Sequence, residues 1–230
     1  MLRLLGFFVA TLIVLHLLRQ VPVVGRVFDV PLIGFWGSAI LVSAAASKMA
    51  TTVLARRTVQ RRVRELGHVD TPHNQGKLGS LLAGEGRYRE AIPHLERAAV
   101  GEPAVAEWRY RLGCALLATR KSGDAARELL QAAEIDEEHA YGAVLARLAE
   151  ARLAEGDAEG SLEAIERRER NHGPDPESAY RRGAAQKVLG RREEARRSFA
   201  ESRRLAASAA RFQRAQARKF ALLSLVAAVF

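Results

Sequence analysis

Small and large apolar residues recur through the middle of the chain at helical spacing. Between Gly79 and Pro103 they fall at Gly79, Leu82, Gly86, Tyr88, Ala91, Leu95, Ala98 and Ala99, which puts them on one face of each of two short helices joined by a turn. The pattern returns 34 residues on, at Gly113, Leu116, Ala125, Leu129, Ala132 and Ala133. It returns at Ala149 after a step two residues longer, and at Gly183 after a further 34, followed by Gly190, Ala195 and Phe199. A period of this length predicts stacked helix-turn-helix units. They cover about 72–105, 106–139, 142–175 and 176–209.

These residues resemble the tetratricopeptide repeat, with a small residue on the first helix, a turn Gly, then Ala, a large apolar residue and Ala on the second, and a closing Pro. The resemblance covers 72–209, roughly three fifths of the chain. It implies an all-α array of about four units that binds rather than catalyses, with the first helices lining a concave groove that holds extended or helical peptides. Unit two departs from the pattern with Arg120 in place of the turn glycine and Glu137 in place of Pro103. Unit three has Ser161 where Ala91 and Ala125 stand and Arg168 where Ala98 and Ala132 stand, so its second helix is expected to pack less closely. Leu95, Leu129, Ile165 and Phe199 are expected to fill the gaps between adjacent units.

The flanks read differently. Residues 4–18 are almost wholly apolar between Arg3 and Arg19, a first run of 2–18 when counted from Leu2, and residues 32–47 form a second apolar run after a link bracketed by Pro22 and Pro31. The first holds 17 residues, the short end of what crosses a bilayer core of about 30 Å at about 1.5 Å per residue. Two transmembrane helices are expected here, retained rather than cleaved because no small-x-small site follows Arg19. They make residues 1–66 a membrane anchor with a basic juxtamembrane helix. Lys48, Arg56, Arg57, Arg61, Arg62 and Arg64 follow the second run. By the positive-inside rule they place the repeats in the cytoplasm, as in an integral protein of a bacterial inner membrane. Arg56, Arg57, Arg61, Arg62 and Arg64 are also the candidate contacts for anionic lipid.

Charge sharpens that division. The formal net charge is +10, yet residues 1–66 carry +7, residues 203–230 carry +6 and the repeats between them −3. The basicity belongs to the flanks, which argues for a membrane surface and against nucleic acid as partner. Beyond Gly190 there is no glycine and beyond Pro176 no proline, so one long helix or two nearly continuous ones are expected to the end. Residues 210–230 read as a basic helix and hydrophobic tail. The eleven residues 220–230 are too few to span a bilayer, so this tail docks on a membrane interface, packs on the array or begins a longer span.

Catalytic chemistry finds no foothold. The six His form no His-Glu-x-x-His pair, no glycine loop follows a strand, and the single Cys114 excludes an intrachain disulfide. No enzyme activity, metal or cofactor is expected. The groove gives the better signal. Two residues before the small marker stand Lys77, Arg111, Arg147 and Arg181; Tyr110 and Tyr180 stand three before it, and Lys187 four after. In register these make a ladder of cations with two tyrosines, suited to the carboxylates of an acidic peptide. Ser80, Cys114, Glu150 and Ala184 stand where chaperone-binding members of the family use Asn, so recognition of a chaperone tail is not implied. The leading reading is a membrane-anchored repeat scaffold recruiting a protein through its groove. The alternative is a lipid-associated assembly or remodelling protein acting through its basic flanks and tail.

Overall fold

The structure, a computed structural model, describes residues 9, 13, 16, 43–49 and 70–229. The chain divides into two compact bodies, Met1–Glu65 and Leu66–Phe230. Among the described residues of the second, nine helices follow one another: α1 (Pro72–Gly84), α2 (Tyr88–Gly101), α3 (Ala106–Ala118), α4 (Ser122–Ile135), α5 (His139–Glu155), α6 (Ala158–His172), α7 (Pro176–Val188), α8 (Arg192–Ser208) and α9 (Arg214–Val229). The first eight pair into four helix-turn-helix units, α1 with α2 through α7 with α8.

Helix starts follow local chemistry. The Thr71 side chain accepts from the Asn74 N–H at 3.2 Å and Pro72 opens α1, where its missing N–H costs nothing. Asp175 and Ser178 form a reciprocal capping box at the head of α7, again with Pro at the first turn. Small residues then let the two helices of a unit close. A Cβ built on Gly79 would lie 2.6 Å from Leu95 Cγ, one on Gly113 2.5 Å from Leu129 Cγ, and one on Gly183 2.7 Å from the Phe199 ring. In unit three Ala149 and Ile165 hold the equivalent places, both buried. Leu95, Leu129 and Phe199 therefore seat over the marker of their own unit, rather than only between neighbours. Unit-to-unit contacts use other residues: Trp108 of α3 lies over Gly76 of α1, and Leu162 of α6 clusters with Ala185 of α7.

The departures from the repeat pattern have physical counterparts. Arg120 takes the left-handed conformation, φ 64°, that Gly86 and Gly190 take at φ 76°. An L-residue pays about 1 kcal/mol to hold it. Arg120→Gly is therefore expected to stabilise the array by about 1 kcal/mol, a rise of ~2–4 °C in Tm; an unchanged or lower melting temperature would refute the strain. The two additional residues before unit three are absorbed in a left-handed turn at Ala140, Tyr141 and Gly142, with φ of 54°, 57° and 70°. Tyr141 stands exposed at its tip. In α6 Ser161 is fully buried with no hydrogen-bond partner for its Oγ among the described residues. Arg168 reaches Asp175 at 2.6 Å while its Nε and Nη1 are buried without partners. Unit three thus closes, with unpaired polar groups inside it.

The membrane expectation is overturned. Among the described residues no helix is long and apolar enough to cross a membrane, against the two transmembrane helices expected at 2–18 and 32–47 and the integral, inner-membrane localisation with cytoplasm-facing repeats built on them. Most of both stretches, and Arg56, Arg57, Arg61, Arg62 and Arg64, lie outside the described residues. The physical reason, in the part of the second run that is described, is composition: helical residues 43–49 read Ser-Ala-Ala-Ala-Ser-Lys-Met, with three polar side chains among the seven.

Candidate peptide-binding groove

The side of the array that could hold a peptide follows from which helices touch. Consecutive first helices meet directly, α1 with α3, α3 with α5 and α5 with α7, whereas no two second helices meet among the described residues. The first helices are therefore the inner layer and the second helices the outer one. Along the inner layer Ser80, Ala83, Tyr110, Cys114, Leu117, Ala146, Glu150 and Leu153 are all partly exposed. They form a row half apolar and half polar across units one to three.

Three of the four ladder cations are paired within the array. Lys77 is exposed and has no ion-pair partner among the described residues. Arg111 is held by Glu107, one helical turn earlier. Arg147 Nη1 lies 2.6 Å from Glu150, and Arg181, only 14% exposed, reaches Glu150 at 3.0 Å and Glu177 at 2.7 Å. Glu150 thus ties the first helices of units three and four together. Burial raises its pKa, but the charges of Arg181 and Arg147 and their hydrogen bonds outweigh this and hold it below the usual carboxylate range.

Tyr110 and Cys114 belong to the same chain of contacts. Burial pushes the Tyr110 hydroxyl up, with the neighbouring Cys114 adding to it and Arg147 opposing. Burial likewise raises the Cys114 thiol, against the pull of Arg147, which leaves it a poor nucleophile. The Tyr110 ring meets His139 edge-on at 5.2 Å, and His139 Nε2 lies 2.7 Å from Glu107 Oε2 without the alignment of a hydrogen bond.

At the far end the inner face is covered by the chain itself. Tyr180 packs between Phe199 and Phe220, at centroid distances of 6.0 and 5.8 Å. Lys187 Nζ donates to the Ala227 carbonyl at 2.9 Å, and Gln216 donates to Glu177 at 3.3 Å. α9 therefore lies along α7, and a cleft of about 240 Å³ remains between the head of α7 and α9. The structure brings Arg147 and Arg181 together through Glu150, places Tyr110 beside Arg147, and gives Tyr180 and Lys187 to the packing of α9. The pairing of the ladder cations with Glu107, Glu150 and Glu177 was not among the expectations from sequence. Their signal was present, since each lies three or four residues from a ladder cation. Among the described residues no group of His, Cys, Asp and Glu is placed to hold a metal ion.

No protein-family model and no curated protein sequence matches the chain. Solved structures do. A crystal structure of MamA protein superposes with a TM-score of 0.59 at 20% identity, covering 66% of this chain and 85% of that one. MamA from Desulfovibrio magneticus RS-1, residues 41 to the end, gives 0.53 at 15% over 69% and 96%. A Podosopora anserina putative kinesin light chain with nearly identical TPR-like repeats gives 0.56 at 19% over 70% and 92%. The described body has an all-α, tetratricopeptide-like helical repeat fold. At these identities the likeness is one of fold.

Proposed function

We propose that this chain is a non-enzymatic repeat scaffold that holds a protein partner against the inner face of units one to three. The observation that carries the reading is the row of partly exposed side chains there, from Ser80 and Ala83 through Tyr110 and Leu117 to Leu153, beside Arg111 and Arg147, which are already neutralised by Glu107 and Glu150. Such a surface suits an extended or helical peptide that brings apolar side chains to Ala83, Leu117 and Leu153 and hydrogen-bonding groups to Ser80 and Tyr110. Acidic character in the partner is favoured only near Lys77, because Arg111, Arg147 and Arg181 are engaged within the array. The structural neighbours share the fold and lend general support to a binding role over catalysis.

The test is site-specific photocrosslinking in cells. A photoreactive residue at Leu117 or Leu153 is expected to capture one discrete protein, and the same residue at Arg127 on the outer layer, 75% exposed, is expected to capture none. Equal capture from both faces, or none from the inner one, would end the groove reading.

A further inference from the structure

The last helix continues the repeat. Ala217 lies 34 residues after Gly183, so α9 stands in register as the first helix of a fifth unit. Its inward residues are packed: Ala217 is 4% exposed, Phe220 7% and Ser224 0%. Its outward residues are not, with Leu222 at 64%, Leu225 at 55% and Val226 at 51%. These three recur at i, i+3 and i+4, one continuous apolar stripe. Among the described residues no second helix closes on α9 as one closes on each of the other four first helices.

Charge says what kind of helix would suit this face. In three of the four units a first-helix arginine is tied to a second-helix glutamate: Arg109 to Glu128 at 3.0 Å, Arg152 to Glu163 at 3.1 Å, and Arg182 to Glu201. α9 carries Arg214, Arg218 and Lys219, and no acidic residue occurs after Glu201. Arg214 finds only the Ala209 carbonyl at 3.4 Å, and Lys219 lies 5.6 Å from the Phe220 ring centroid. None of the three has a carboxylate partner among the described residues. A second copy of α9 fits this face poorly, since both surfaces would be basic and like charges repel.

We propose that the outward face of α9 is a docking surface for an acidic amphipathic helix of a partner protein. The partner sets apolar residues on Leu222, Leu225 and Val226 and carboxylates on Arg214, Arg218 and Lys219. The site is separate from the inner face of units one to three.

The experiment uses the full chain and a labelled peptide of residues 122–135, the chain's own α4, which carries Asp124, Glu128 and Glu134 against Arg127 around Leu129. Fluorescence anisotropy is expected to show saturable binding that weakens with added salt. Leu222→Asp with Leu225→Asp is expected to weaken it about tenfold, and Arg214→Glu with Arg218→Glu about fivefold or more. All four positions are exposed, and circular dichroism checks that helicity is kept. Leu117→Glu, in the groove, leaves peptide binding unchanged if the two sites are independent. The proposal is overturned by absent or non-saturable binding, by equal binding of a scrambled peptide, or by indifference to the α9 substitutions. It is also overturned if Leu225→Asp instead dissolves a dimer of the chain, or if anionic phosphatidylserine vesicles bind this face while the peptide does not.

Discussion

Gly183→Val is expected to destabilise the repeat array by about 3 kcal/mol, near the upper end of the usual cost of overpacking. A single Cβ at this position would stand 2.7 Å from two carbons of the Phe199 ring. Phe199 is 2% exposed and its ring centroid lies 6.0 Å from that of Tyr180, so a shift of the ring disturbs Tyr180 and, through it, the contact with Phe220. The helices α7 and α8 must separate, and the seat of α9 moves with them. Gly190→Ala is the control. Its φ is +76° and an added Cβ meets nothing within 4 Å, so only the left-handed strain of about 1 kcal/mol is paid. Urea unfolding followed by circular dichroism separates the two. If the two variants lose equal stability, close helix contact is not what Gly183 provides.

The contrast between those glycines shows how far the sequence could be read. Gly79, Gly113 and Gly183 recur at a fixed period, and each sits under the large residue sixteen places on, so the repeat pattern and its packing were both legible. What periodicity could not say is that Leu95 and its counterparts face their own unit, because a helical register gives a direction and not a neighbour. The two-residue insertion before Ala149 was visible as a count, but its form as a left-handed turn at residues 140–142 was not, since alanine and tyrosine rarely adopt that conformation.

The cation ladder was legible in register and not in its pairing. Lys77, Arg111, Arg147 and Arg181 do share one register, but three of them are paired. One pairing, Arg181 with Glu150, crosses 31 residues between units, a separation at which no local rule operates. The covering of Tyr180 and Lys187 by α9 had one faint signal, the place of Ala217 one period after Gly183. At the other end of the chain, counting apolar residues suggested two spans where the described helical residues supply none.

Glu150 offers the sharpest test of the neutralised ladder. Its carboxylate bonds Arg147 at 2.6 Å and Arg181 at 3.0 Å, and its pKa in the folded chain is held down by these partners against the opposing effect of burial. A carboxylate depressed on folding adds stability above its unfolded pKa of about 4.3 and loses that contribution as pH falls through its lower folded value. Glu150→Gln keeps the shape and removes the charge. Because the side chain is 38% exposed, solvent screening reduces the expected cost to about 1–2 kcal/mol at neutral pH. The urea midpoints of the parent and the variant are expected to differ at pH 7 and to converge as the pH is lowered below about 4. A gap of unchanged size in acid would mean that Glu150 acts by its shape and not by its charge. Arg181 is the more buried partner and keeps Glu177 at 2.7 Å, so Arg181→Met with Glu150→Gln is expected to cost less than the two single changes added together. That non-additivity would place the ladder's cations inside the structure of the array, leaving the partner to be chosen by the apolar row beside them.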